Sequence, residues 1–115
     1  MKLLFIVNES PWGSVIALSA WRLVRAAAES GSVQCAVFFR EDGIYNALGG
    51  ADTDAGTVNL AQQWAELATR HGVRLMLCRS SVQRRLQVPL TAPFESSGLA
   101  EMAEHMITSD RVLTF

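Results

Sequence analysis

The sequence is poor in the features that mark most metal, redox and nucleotide sites. Among its 115 residues are two cysteines, two histidines, three prolines and one tyrosine. Cys35 and Cys78 form no C-x-x-C pair, and neither His71 nor His105 stands at ligand spacing to them, so neither a dithiol redox pair nor a metal site is expected. There is no G-x-G-x-x-G, no P-loop and no G-x-S-x-G, which removes the usual phosphate cradles and the nucleophile elbow. Charge of one sign is also missing. Ten Lys and Arg against eleven Asp and Glu give a formal net charge of −1 and a pI of about 6.1, so bulk electrostatics favour neither direct nucleic-acid binding nor an anionic membrane surface. The apolar run at residues 3–7 is too short for a signal core or a membrane span, and Asn8-Glu9-Ser10-Pro11 follows at once. The expected compartment is the cytoplasm, where both thiols would be reduced.

What is present is a core. Half of the residues are hydrophobic and 18% are charged, in short bounded clusters that suit one globular domain over residues 1–115. Strand-like and helix-like segments alternate. Residues 2–7 read as a buried strand, then a helix from near Ser14 with Ile16, Ala20, Leu23, Val24 and Ala27 as its apolar stripe and a stop at Ser30-Gly31. Trp21 and Leu18 fall partly off that stripe, which hints at a subunit contact. Residues 33–39 form a second strand. The Gly- and Asp-containing stretch from Gly49 to Gly56 is expected to be a mobile surface loop, and Thr57 to cap a helix that ends at Gly72. A third strand ends at Cys78, Ser80 or Ser81 caps a short helix, and an extended piece near Phe94 precedes a helix carrying Leu99, Met102, Ala103 and Met106. Residues 111–115 are the last strand. Strands separated by helices imply a three-layer α/β/α fold with a mainly parallel sheet of about five strands, flavodoxin-like in outline, whose functional groups gather at the carboxyl ends of the strands.

That edge would hold Asn8 to Gly13, Arg40 to Gly43, and Cys78 with Arg79. At a strand-to-helix turn, a cysteine sulfur meets the unpaired N–H groups of the following helix, and Arg79, Arg84 and Arg85 add positive charge, all of which favour a thiolate. Position alone leaves a second possibility, a small buried hydrophobe that merely ends a strand. Cys35, inside the second strand, reads as a core residue.

The run Val37-Phe38-Phe39-Arg40-Glu41-Asp42-Gly43-Ile44-Tyr45-Asn46, the segment from Gly72 to Arg85 with Cys78 followed by Arg84-Arg85, and the tail Ser97-Gly98-Leu99 with Asp110-Arg111-Val112 resemble the DsrE/TusD sulfur-relay family. The Pro11-Trp12-Gly13 turn matches an aromatic-containing turn of that family. The resemblance covers nearly the whole chain and implies a DsrEFH-like fold, no cofactor and no metal. It places Cys78 at the family's persulfide cysteine, with Arg79, Arg84 and Arg85 as supporting residues. It also implies sulfurtransferase or carrier activity between sulfur-donor and sulfur-acceptor carrier proteins, in tRNA 2-thiolation or sulfur oxidation, within homo- or hetero-oligomers of related subunits. The chain departs from the family pattern at Arg79-Ser80-Ser81, where small apolar residues are common, at Leu86 in place of a glycine, and in a shorter segment from Gln87 to Phe94. Two alternatives stand beside this expectation: a non-catalytic interaction subunit with an inert Cys78, separated from the carrier by the exposure of that thiol, and a small-ligand flavodoxin-like module.

Overall fold

The computed structural model describes residues 1–12, 15–48, 59–87 and 89–115. These form β1 (Lys2–Val7), α1 (Ile16–Glu29), β2 (Gln34–Phe39), a 3-10 segment (Glu41–Ala47), α2 (Leu60–His71), β3 (Arg74–Cys78), α3 (Arg79–Arg85), β4 (Phe94–Ser97), α4 (Leu99–Thr108) and β5 (Arg111–Thr114). The expected loop at Gly49 to Gly56 and the expected cap at Thr57 lie outside the described residues, as does Ser14. All strand pairs are parallel, in the order β4-β3-β2-β1-β5.

The three inner strands, β3, β2 and β1, read as nearly unbroken apolar runs because both faces of the sheet are covered there. On one face Phe5, Val7, Val37, Phe39, Leu75 and Leu77 pack against α1 and α2. On the other, Leu4, Ile6, Ala36, Phe38, Met76 and Cys78 form a smaller cluster onto which Met102 of α4 packs. The result is the three-layer α/β/α arrangement that the alternation of elements implies. Among the described residues no helix is long and apolar enough to cross a membrane.

The stripe of α1 differs from expectation. Its buried residues are Ala17, Ala20, Trp21, Val24 and Ala28, whereas Ile16 and Leu23 are 41% and 42% exposed. Trp21 decides this, because an indole buries more area than a leucine and the alanines around it let the helix approach closely. Trp21 is therefore a core residue and Leu18, partly buried, packs against that core, so the packing of α1 on the sheet accounts for both positions. In α2 the cap is Asn59, whose side chain accepts from the Gln62 N–H at 3.2 Å, and Gly72 ends the helix with φ 70°, as expected of a residue in the left-handed region.

The 3-10 segment is clamped to the carboxyl end of β1. A Cβ on Gly43 would stand 2.0 Å from the Val7 carbonyl oxygen, so only glycine permits this approach. Asn46, fully buried, donates from Nδ2 to the carbonyls of Glu9 at 3.0 Å and Gly43 at 2.8 Å, and accepts from Trp64 Nε1 at 3.3 Å. Both N–H donors and the amide oxygen are engaged at a place where an unmet polar group would be costly.

Candidate functional site

β3 delivers Cys78 to the carboxyl edge of the sheet and the chain turns directly into α3, with Cys78 itself in the N-cap position. Ser80 and Ser81, expected as caps, lie instead in the first turn of α3. Cys78 is 4% exposed. Burial pushes its thiol up, but hydrogen bonding from the hydroxyl and backbone of Ser81 and the backbone and hydroxyl of Ser80 outweighs this, and the net pKa falls below the ordinary cysteine value. No bond of regular capping geometry reaches the sulfur, so the two serines act as a loose set of donors that favours the anion. Cys35 shows what burial does unopposed: also enclosed, it is pushed up. Both cysteines are free thiols.

Ser81 is fully buried and links the site to the neighbouring segment, its Oγ accepting the Glu41 N–H at 3.1 Å. Glu41 holds a left-handed φ of 49°, unusual for a residue with a side chain. Its carboxylate is paired with Arg85 at 2.6 Å and Arg84 at 3.6 Å, and Arg85 also pairs with Asp42. Two of the three arginines thus have their charge met by carboxylates. Arg79 takes another course, with Nη1 lying 3.6 Å from where a Cβ on Gly98 would stand. Of the three, it is the one whose guanidinium lies over the junction of β4 and α4.

The topology brings two further residues to Cys78: Arg40, which the sequence places at the same carboxyl edge without a role, and Ser97, which it does not place at the site. Ser97 is its register partner on β4, is fully buried, and has an Oγ without a hydrogen-bond partner. Arg40 stands one residue beyond the last paired position of β2, and its buried Nε is likewise unpartnered. Strand alternation was the available signal, but it needs the strand order, which the sequence does not contain. Among the described residues, no three His, Cys, Asp or Glu side chains cluster as metal ligands would.

The model of the DsrE/DsrF-like family matches residues 1–115. The chain belongs to that family. Similar members include the sulfurtransferase TusD homolog of Vibrio vulnificus, 33% identical with 100% of this chain and 98% of that protein covered, and the sulfurtransferase TusD of Salmonella dublin, 31% identical over 100% of both. Among solved structures, the ychN protein from E. coli superposes with a TM-score of 0.87 at 26% identity, covering 100% of this chain and 99% of that one. A protein of unknown function from Methanobacterium thermoautotrophicum shares the fold at a TM-score of 0.69 and 17% identity, covering 99% and 98%. In this chain Cys78 ends β3, the strand next to the edge strand β4.

Proposed function

We propose that this DsrE/DsrF-like protein is a sulfur carrier or sulfurtransferase subunit in which Cys78 takes up a sulfane sulfur as a persulfide. The observation that carries this reading is the contrast between the two cysteines. Both are buried, yet only Cys78 stands at a strand-to-helix junction, in the N-cap position with Ser80 and Ser81 in the turn that follows, and only its pKa is lowered. A thiolate is the species that attacks a donor persulfide. In uptake, the Cys78 sulfur bonds to the outer sulfur of the donor, the donor's S–S bond breaks, and its inner sulfur leaves as a thiolate. In release, an acceptor thiolate attacks the same outer sulfur and Cys78 departs as the thiolate it was. Neither step involves net oxidation.

Arg79, which has no carboxylate partner among the described residues, supplies positive charge at the rim for an anionic donor. Arg84 and Arg85 support the site indirectly by fixing the segment that carries Glu41. The partners are sulfur-donor and sulfur-acceptor carrier proteins of the cytoplasm, in tRNA 2-thiolation or sulfur oxidation. The relatives named as sulfurtransferases support this class. Leu99, Met106 and Ile107 on α4 and Val112 on β5 are 48%, 43%, 83% and 37% exposed, which supports packing of this face against a related subunit.

A second reading, an interaction subunit with an inert Cys78, is favoured by the 4% exposure of that residue. Intact-mass spectrometry after incubation with glutathione persulfide separates the two. The carrier gains one sulfur atom that is lost in Cys78→Ser. A gain that persists in Cys78→Ser, or none in the wild type, overturns the carrier assignment.

A further inference from the structure

A fully buried hydroxyl with no partner lies next to the thiol and is used by nothing described so far. Ser97 pairs with Cys78 across the β3–β4 ladder. Register partners in this ladder share a face: Leu75 and Phe94 both join the cluster under α1 and α2, while Met76, the partner of Glu95, lies with Cys78 in the cluster on the α4 side, where Glu95 also pairs with Arg74. Two residues beyond Glu95, Ser97 is on the face of Cys78. Adjacent strands run about 4.8 Å apart, so the two side chains stand beside each other. Ser97 Oγ nevertheless makes no hydrogen bond, and the donors that act on the Cys78 sulfur come from Ser80 and Ser81 on the α3 side. Leaving a hydroxyl buried and unmet is unfavourable, and alanine would fill the place without that penalty.

An added sulfur changes the demand for donors. It extends the side chain by about 2.05 Å and carries the negative charge outward, away from the serines that serve Sγ. The flanks then matter. Arg40 on the β2 side has an unpartnered Nε, Ser97 on the β4 side an unpartnered hydroxyl, and the Arg79 guanidinium lies by Gly98, the residue after Ser97. We propose that Ser97 is the hydrogen-bond donor that holds the outer sulfur of a persulfide on Cys78. This rests on the assignment of Cys78 as the sulfur acceptor. The hydroxyl keeps its proton throughout. It stabilises Cys78–S–S⁻ relative to Cys78–S⁻ and so sets how far the exchange with a donor persulfide, which releases the donor thiolate, proceeds.

The test is the equilibrium between the protein and glutathione persulfide plus glutathione, read by intact mass for the wild type, Ser97→Ala and Ser97→Thr, together with thermal melting and the pH dependence of Cys78 alkylation. Loss of a hydrogen bond to a charged group is expected to lower the loading constant of Ser97→Ala about tenfold, and Ser97→Thr, which keeps the hydroxyl, to restore most of it. The melting temperature of Ser97→Ala should stay level or rise, since an unmet polar group is removed, and its alkylation midpoint should not move. Equal loading of Ser97→Ala and wild type overturns the role of Ser97 while leaving Cys78 as acceptor. A shifted alkylation midpoint, or a clear loss of stability in Ser97→Ala, also overturns it, by showing that the hydroxyl serves the thiol or the fold. A wild type that takes up no sulfur overturns the assignment of Cys78, and this proposal with it.

Discussion

Replacing Ser81 by alanine removes a hydroxyl that acts on the Cys78 sulfur and also accepts the Glu41 N–H. Hydrogen bonds to a thiolate lower its pKa, so their loss raises it. The rate of iodoacetamide alkylation against pH should therefore rise at a higher midpoint in Ser81→Ala than in the wild type, with slower alkylation at any pH below that midpoint. Arg85→Ala is the contrasting case. Its guanidinium is committed to Glu41 and Asp42, so the midpoint should stay where it is while stability falls by about 1 kcal/mol or less. Cys78 was legible in the sequence as the residue of interest, because a cysteine at a strand-to-helix turn within a family-like pattern is visible in one dimension. The division of labour among its neighbours was not. Arg84 and Arg85 looked like support for the sulfur, but Glu41 and Asp42, some forty positions earlier, claim them. Ser80 and Ser81, read as a departure from the family pattern, supply the donors.

At the scale of elements, the close approach of the 3-10 segment to β1 depends on one glycine. Gly43→Ala sets a methyl carbon against the Val7 carbonyl, and unfolding by urea should show a loss of about 3 kcal/mol or more. A level midpoint would mean that the segment can move away from β1. The junction of α4 with the amino-terminal edge of the sheet titrates. Burial lowers the His105 pKa, the charges of Lys2 and Arg74 lower it further, and Glu101 and Glu104 oppose them. The Arg74 guanidinium lies 3.3 Å from His105 Nε2, and Thr108 accepts from Lys2 Nζ. In the unfolded chain His105 takes up its proton near the ordinary histidine value of about 6.5, whereas the folded protein resists until lower pH. The unfolded state therefore binds more protons between the depressed value and the ordinary one, and stability falls as pH falls through that window. Urea midpoints measured between about pH 5 and 7.5 should show this slope, and His105→Gln should flatten it. An unchanged slope would place the titration elsewhere. Helix and strand types could be read from periodicity, but the stripe of α1 could not be oriented, since Leu23 and Trp21 are both apolar and only packing against the sheet chooses between them.

For the whole molecule, both sheet faces are buried yet the α4 side is left with apolar residues facing outward. If that face packs on a related subunit, the protein sediments as an oligomer and Ile107→Glu shifts it to the monomer, because Ile107 is 83% exposed and a carboxylate there resists burial. A monomeric wild type across micromolar concentrations would remove this association. The sequence by itself determined the alternation of strands and helices, hence a parallel three-layer sheet, since short apolar runs separated by amphipathic segments have few other ways to bury both faces. It also singled out Cys78. Only the tertiary structure decided which groups meet at that cysteine, because strand order and register are long-range properties. Those two properties set Ser97 beside the thiol from nineteen residues along the chain, bring Arg40 toward its other flank, and leave the hydroxyl of Ser97 without a partner.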